Sequence, residues 1–234
     1  MRSWSRSAKM RAGMAAILKS IRLDIDILKV YYRIFLVVYL LAILVAFLTK
    51  LPGLMMVIVI LISGPFVGIY FSLYEKNHLS KLYGILPLGK NEVVVGRYLY
   101  ALAFVIANGI AASLLATMIS LVVASRMSQL EFLTYAFAPF AYFCLYIAIQ
   151  FPLYFKFPFS KVYIFTNLPF YLIAVASAYL IRFKQDFVRQ DFQQIIRYFT
   201  ANPNRIWVAG LGLGLLLLLV SCPLSLMIHQ KNEL

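Results

Sequence analysis

Glu75-Lys76-Asn77-His78-Leu79-Ser80-Lys81-Leu82-Tyr83-Gly84-Ile85-Leu86-Pro87-Leu88-Gly89-Lys90-Asn91-Glu92-Val93-Val94-Val95-Gly96-Arg97 is a polar island between two apolar runs, 54–74 and 98–124. Each run is long enough to cross a bilayer, whose hydrocarbon core of ~30 Å takes about 20 helical residues. The island therefore lies at a membrane surface. It carries Lys76, Lys81, Lys90 and Arg97 against Glu75 and Glu92, and a basic excess in a short loop marks the cytoplasmic side.

Locally the island divides at Pro87, because the residue before a proline is pushed out of the helical region. Gly89 then takes the N-cap position with Glu92 three residues on, half of a capping box, and a helix runs from Lys90 into the apolar stretch. Upstream, Leu79 and Leu82 share one face of a short surface helix. The segment Gly84-Ile85-Leu86-Pro87-Leu88-Gly89-Lys90-Asn91 imitates a phosphate loop, but Asn91 replaces the hydroxyl residue that ligates Mg²⁺, and an apolar span precedes it instead of a strand. A loop with a helix cap is the better reading.

Composition sets the class. Of 234 residues 63% are hydrophobic and 13% charged, with mean hydropathy +0.87; soluble domains are nearer ~45–50% apolar and ~25% charged. The formal charge of +14 sits at the ends of apolar runs, where it sets orientation and attracts anionic lipid. Nucleic acid is excluded as a partner, since no basic and aromatic groove is left once the spans are removed. Cys144 and Cys222 fall in separate apolar spans without metal-ligand spacing, and read as packing residues. His78 and His229 are the only histidines, and no carboxylate lies within a span. General acid–base catalysis, metal binding and proton coupling therefore lack the side chains they need.

The fold class expected is an all-α membrane protein with six transmembrane helices. Residues 1–33 form a cytoplasmic tail (1–12) and an amphipathic interfacial helix, with Met14, Ile17, Leu18, Ile21, Ile25, Leu28 and Tyr32 opposite Lys19, Arg22, Asp26, Lys29 and Arg33. Residues 34–229 are the transmembrane domain and 230–234 a second cytoplasmic tail. The spans fall at about 31–49, 54–74, 98–124, 132–155, 162–181 and 206–228. Lys50-Leu51-Pro52-Gly53 makes the first turn. Pro65, Pro139, Pro169 and Pro223 kink spans without excluding them. Between the last two spans, residues 182–205 carry an apolar stripe that includes Phe187 and Phe199, and form an interfacial or re-entrant outer helix.

Polar side chains inside the spans are the candidates for a translocation pathway: Asn108, Ser113 and Thr117 in the third, Gln150 in the fourth and Asn167 in the fifth. Such groups in hydrocarbon either bond to a neighbouring helix or face water. Gly64 with Gly68 and Gly210 with Gly214 are spaced for close helix contact, within one chain or across a seam between two.

The loop composition after the second span, then Leu86-Pro87-Leu88, then Lys90-Asn91-Glu92 running into Val93-Val94-Val95-Gly96-Arg97-Tyr98-Leu99, resembles the permease subunits of bacterial type-2 ABC exporters. The likeness is to the small six-helix permeases whose ATPase is a separate chain. Gly89 stands where that family usually has a small hydroxyl residue. The resemblance implies that the 75–97 loop docks on the ATPase through Glu75, Leu79, Lys81, Leu82, Leu86, Pro87 and Glu92. It also implies two ATPase copies holding ATP and Mg²⁺, a second permease, identical or related, and no cofactor on this chain. The setting it implies is the bacterial plasma membrane, and the cargo hydrophobic or amphipathic peptides of antimicrobial or cytolytic type. The alternative from another class is a multi-span sensor or assembly factor that transports nothing.

Fifteen Lys and Arg fall on one side of this topology and seven on the other, which puts both termini and the 75–97 loop in the cytoplasm. Single cysteines placed at 81 and 190 test it. A membrane-impermeant thiol reagent applied to intact cells should label position 190 and spare position 81; the reverse pattern overturns the topology.

Overall fold

Helices, and among the described residues no strand, make up the computed structural model, which describes residues 2–77, 89–124, 127–165, 167–168 and 203–231. The first helix, α1 (Arg2–Leu28), passes through a 3-10 turn (Lys29–Tyr31) into α2 (Tyr32–Thr49). The segment 2–12, expected as a tail, is thus helical. Then come α3 (Gly53–Lys76), α4 (Lys90–Val122), α5 (Gln129–Lys156) and α6 (Pro203–Lys231). Helices α2 to α6 are each long and apolar enough to cross a membrane. Residues 159–165 and 167–168 are helical at the start of the expected fifth span, whose remainder lies outside the described residues, as does the expected outer helix.

Helix ends follow local chemistry. Lys50 closes α2 in the left-handed conformation at φ 56°, and α3 starts three residues later at Gly53. Gly53 is required there, since a Cβ would overlap the Tyr135 ring. Ser128 and Glu131 form a complete capping box at the start of α5: the Ser128 hydroxyl accepts from Glu131 N at 3.2 Å, and Ser128 N donates to Glu131 Oε2 at 2.8 Å. Each bond satisfies one of the donors that every helix start leaves open. Pro65, Pro139, Pro152 and Pro223 sit inside α3, α5, α5 and α6 without ending them, as surrounding helices permit in a bilayer.

The most enclosed span is α3, which touches α2, α4 and α5; α5 in turn makes its most extensive contact with α6. One core cluster is built on small residues, Ala42 and Ala46 of α2 against Ala112 and Ala116 of α4, with Met55, Met56 and Val59 of α3 filling the space between. Lipid tails are as apolar as leucine, so close backbone approach and shape, more than water exclusion, hold such helices together. The rings of Phe35, Phe66 and Phe104, from α2, α3 and α4, lie 4.8–5.3 Å apart. Facing outward are Leu36, Leu40, Leu44 and Leu48 of α2, Ile110, Leu114, Met118 and Leu121 of α4, and Leu216 and Leu219 of α6.

The paired glycines act within the subunit. Gly64 and Gly68 of α3 face Tyr146, Tyr154 and Gln150 of α5, and Gly210 and Gly214 of α6 face Ala141 and Cys144 of α5. A Cβ at Gly64 would come within 2.6 Å of the Tyr146 ring, whereas one at Gly212 would meet nothing within 4 Å. Gly64→Val should therefore cost about 1–3 kcal/mol, the range for overpacking, and Gly212→Val almost nothing. Thermal unfolding of the two purified variants in detergent checks the difference.

Candidate functional site at the loop end of the bundle

The polar loop joins α3 to α4, so both its ends are fixed by the bundle. Helix α4 starts at Gly89 in an extended conformation (φ −70°, ψ 148°) with no side-chain cap, and Val93 N donates to Gly89 O at 3.2 Å. The Glu92 carboxylate folds back into the space that a Cβ at position 89 would need. Glycine in place of a hydroxyl residue thus goes with a cap in which Glu92 lies over the helix start. Negative charge in a first turn is favoured by the exposed N–H groups there.

Arg97, counted with the loop charges in the sequence, is buried, at 5% exposure. Two helical turns in from Lys90, its guanidinium lies 4.5–5.3 Å from the ring centres of Tyr70, Phe71, Tyr74 and Phe155. It also donates to the Tyr70 hydroxyl at 3.1 Å. Each ring presents a negative face to a cation, worth about 2 kcal/mol where water is excluded. Arg97 thereby joins α3, α4 and α5 just behind the loop. Only the i, i+1 and i+4 spacing of Tyr70, Phe71 and Tyr74 could have signalled it in the sequence.

Glu75, at the opposite root of the loop and beyond the apolar run 54–74, reaches sideways. Its carboxylate accepts from the Ser160 hydroxyl at 2.6 Å and from Ser160 N at 3.0 Å. These bonds, the hydroxyl's first, hold the Glu75 carboxyl below the usual carboxylate range. Because the folded-state pKa is lowered, the contact is fully made above the ordinary carboxylate pKa of ~4.3 and is lost as pH falls through the lowered value. The last turn of α3 is thus tied to the helical residues that follow α5. A cavity of about 370 Å³ lies beside this tie, lined by Phe71, Tyr74, Glu75, Tyr154 and Phe159 among others.

Two further contacts gather the termini at this end. Gln230 of α6 donates to Asn91 at 2.9 Å, and the His229 ring lies 5.4 Å from that of Phe155. Helix α1 lies along the start of α4 where Gly96 leaves room: a Cβ there would come within 3.0 Å of the Ser20 hydroxyl. The face of α1 turned inward carries Ser20, Asp24 and Leu28, all buried, while Met14, Leu18 and Ile25 of the expected apolar stripe stay exposed. Ser20, Asp24 and Leu28 dock α1 to the protein, and Met14, Leu18 and Ile25 are left exposed.

The expected pathway residues are dispersed. Asn108 accepts from the Tyr39 hydroxyl at 2.9 Å and donates to Phe104 O. Ser113 and Thr117 donate to Ile110 O and Ser113 O of their own helix, with Thr117 exposed. Asn167 accepts from Tyr146 at 2.5 Å and donates to Tyr163 O; Tyr146 also hydrogen-bonds Gln150, which is 1% exposed. Gln150 and Asn167 thus meet through Tyr146, inside the subunit, and Asn108 and Thr117 stand apart from them. Of the expected docking residues, Glu75 and Glu92 are described above; Leu79, Lys81, Leu82, Leu86 and Pro87 lie outside the described residues, as do Phe187 and Phe199.

Among the described residues, no group of three or more His, Cys, Asp or Glu could hold a metal ion. Apolar helices long enough to span a bilayer define a multi-pass membrane protein. A family model described as ABC-2 family transporter protein matches residues 19–230, and the chain belongs to that family of membrane permease subunits. Membership implies partnership with an ABC ATPase. No curated protein and no solved structure matches the chain.

Replacing Arg97 removes the cation that Tyr70, Phe71, Tyr74 and Phe155 surround. Arg97→Ala should lower stability by about 2 kcal/mol or more, Arg97→Lys by less, and the exposed Arg22→Ala by under ~0.5 kcal/mol. Thermal unfolding of the purified variants in one detergent reads the order.

Proposed function

We propose that this chain dimerises, with itself or a related permease, to form the pathway of an ATP-driven exporter powered by two separate ATPase subunits. The observation that carries the reading is family membership over residues 19–230 combined with a polar loop whose roots are anchored in the bundle by Arg97 and Glu75. A push on such a loop is delivered to α3, α4 and α5 instead of being lost in a hinge. The chain itself contributes no ATPase site: nucleotide and Mg²⁺ are held by the partner, whose closure moves the loop. The bilayer is the plasma membrane, with both termini inside. The cargo is a hydrophobic or amphipathic peptide, a class that suits a pathway bordered by the apolar outer faces of α2 and α4.

Docking rests on apolar anchors, Leu79, Leu82 and Leu86, with Lys81 at the rim. Buried anchors dominate interface energetics and rim charges adjust rate and salt dependence. Leu82→Asp should abolish co-purification of the ATPase, Lys81→Ala should weaken it mildly, and Lys90→Ala should leave the isolated chain as devoid of ATP binding as before. Retained pull-down with Leu82→Asp, or ATP binding that depends on Lys90, overturns the docking scheme. Absence of any co-purifying ATPase favours a sensor or assembly factor.

A further inference from the structure

A second cavity, of about 420 Å³, opens between α2, α3 and the helical residues 159–165 and 167–168. Its volume is within the ~300–1,000 Å³ of small-molecule sites. Its lining changes character along α3: Ile62, Pro65, Phe66 and Ile69 come first, then Ser72, and finally Lys76 at the loop end. Ile62 to Leu73 covers about 17 Å at 1.5 Å per residue, close to the ~15 Å that one leaflet contributes to the hydrocarbon core. The apolar part therefore matches one leaflet in length, and the cation stands at the level of that leaflet's headgroups. Tyr31, at the same end, adds a further hydroxyl.

The ammonium of Lys76 is exposed. The neighbouring carboxylate, Glu75, uses both oxygens on Ser160, and Lys76 forms no ion pair among the described residues. A cation beside hydroxyl donors suits the oxygens of a phosphodiester, and the apolar groove below suits one acyl chain. We propose that this cavity is a binding site for an anionic phospholipid of the leaflet on the Lys76 side, with its headgroup on Lys76 and an acyl chain along Ile62, Phe66 and Ile69. The inference is independent of which cargo the protein moves.

Native mass spectrometry of the full-length chain, released from detergent after incubation with an equimolar mixture of phosphatidylglycerol and phosphatidylcholine of identical chains, tests it. The wild type should retain phosphatidylglycerol over phosphatidylcholine by about fivefold, the ratio that one basic side chain near an anionic headgroup supplies. Lys76→Gln should bring the ratio close to one, and Ile69→Trp, which fills the groove, should reduce retention of both lipids. Lys50→Gln, an exposed lysine at the opposite end of the α2–α3 pair, should leave the ratio unchanged. An excess of inorganic phosphate should displace nothing. Equal retention of the two lipids by the wild type overturns the site, as does an equal effect of Lys50→Gln and Lys76→Gln, which would mean diffuse attraction to a basic surface. Should Ile69→Trp fail to fold, Lys76→Gln against Lys50→Gln decides alone.

Discussion

Hydrocarbon offers no water to a polar group, and this constraint shapes the interior of the chain. The clearest response joins three helices. Ser221 of α6 donates its proton to the Ala148 carbonyl of α5 at 2.7 Å, so it must accept from Tyr98 of α4 at 2.6 Å; Tyr98, its proton spent, accepts from Ser225 at 2.8 Å. One proton arrangement satisfies all three hydroxyls. Tyr39 with Asn108, and Tyr146 with Asn167, follow the same rule between other pairs of elements. Thr117 and Ser113 obey it within one helix, which leaves them free to face outward.

Charge is handled differently from hydroxyls. A guanidinium cannot lose its proton, so where it is buried the surroundings must suit a cation. Around Arg97 stand aromatic faces and one tyrosine hydroxyl, groups that also pack well against neighbouring helices. The same rings that accept the cation also touch Phe151 and Tyr154. The loop end of the bundle is thus a cross-linked aromatic layer around one buried cation.

Much of this was legible in the chain. Apolar runs and the charges between them located α2 to α6 within a few residues, because length and hydropathy are local properties. The cap at Gly89 and Glu92 was legible for the same reason. Ser128 and Glu131 also carry a capping signature three residues apart, which a boundary drawn by hydropathy alone, at Phe132, passes over. What could not be read were partners far along the chain. Nothing near Glu75 points to Ser160, and nothing near Arg97 points to Phe155; such pairings are decided by how spans pack. The docking face of α1 depends on such a pairing too. A hydrophobic stripe names the side that avoids water, but Gly96 makes the contact with Ser20 a matter of fit.

The Tyr98 and Glu75 contacts also bear on how the chain is made. Synthesis runs from the N-terminus at ~5–20 residues per second, so Ser160, 85 residues after Glu75, follows it by about 4–17 s. Ser221 comes 123 residues after Tyr98, a delay of about 6–25 s. During that interval the early helices are in the membrane with a carboxylate and a phenol awaiting partners not yet translated. The carboxylate can wait in water. The phenol must turn toward the surface or toward a temporary neighbour, and its bonds to Ser221 and Ser225 form only after α6 has been made.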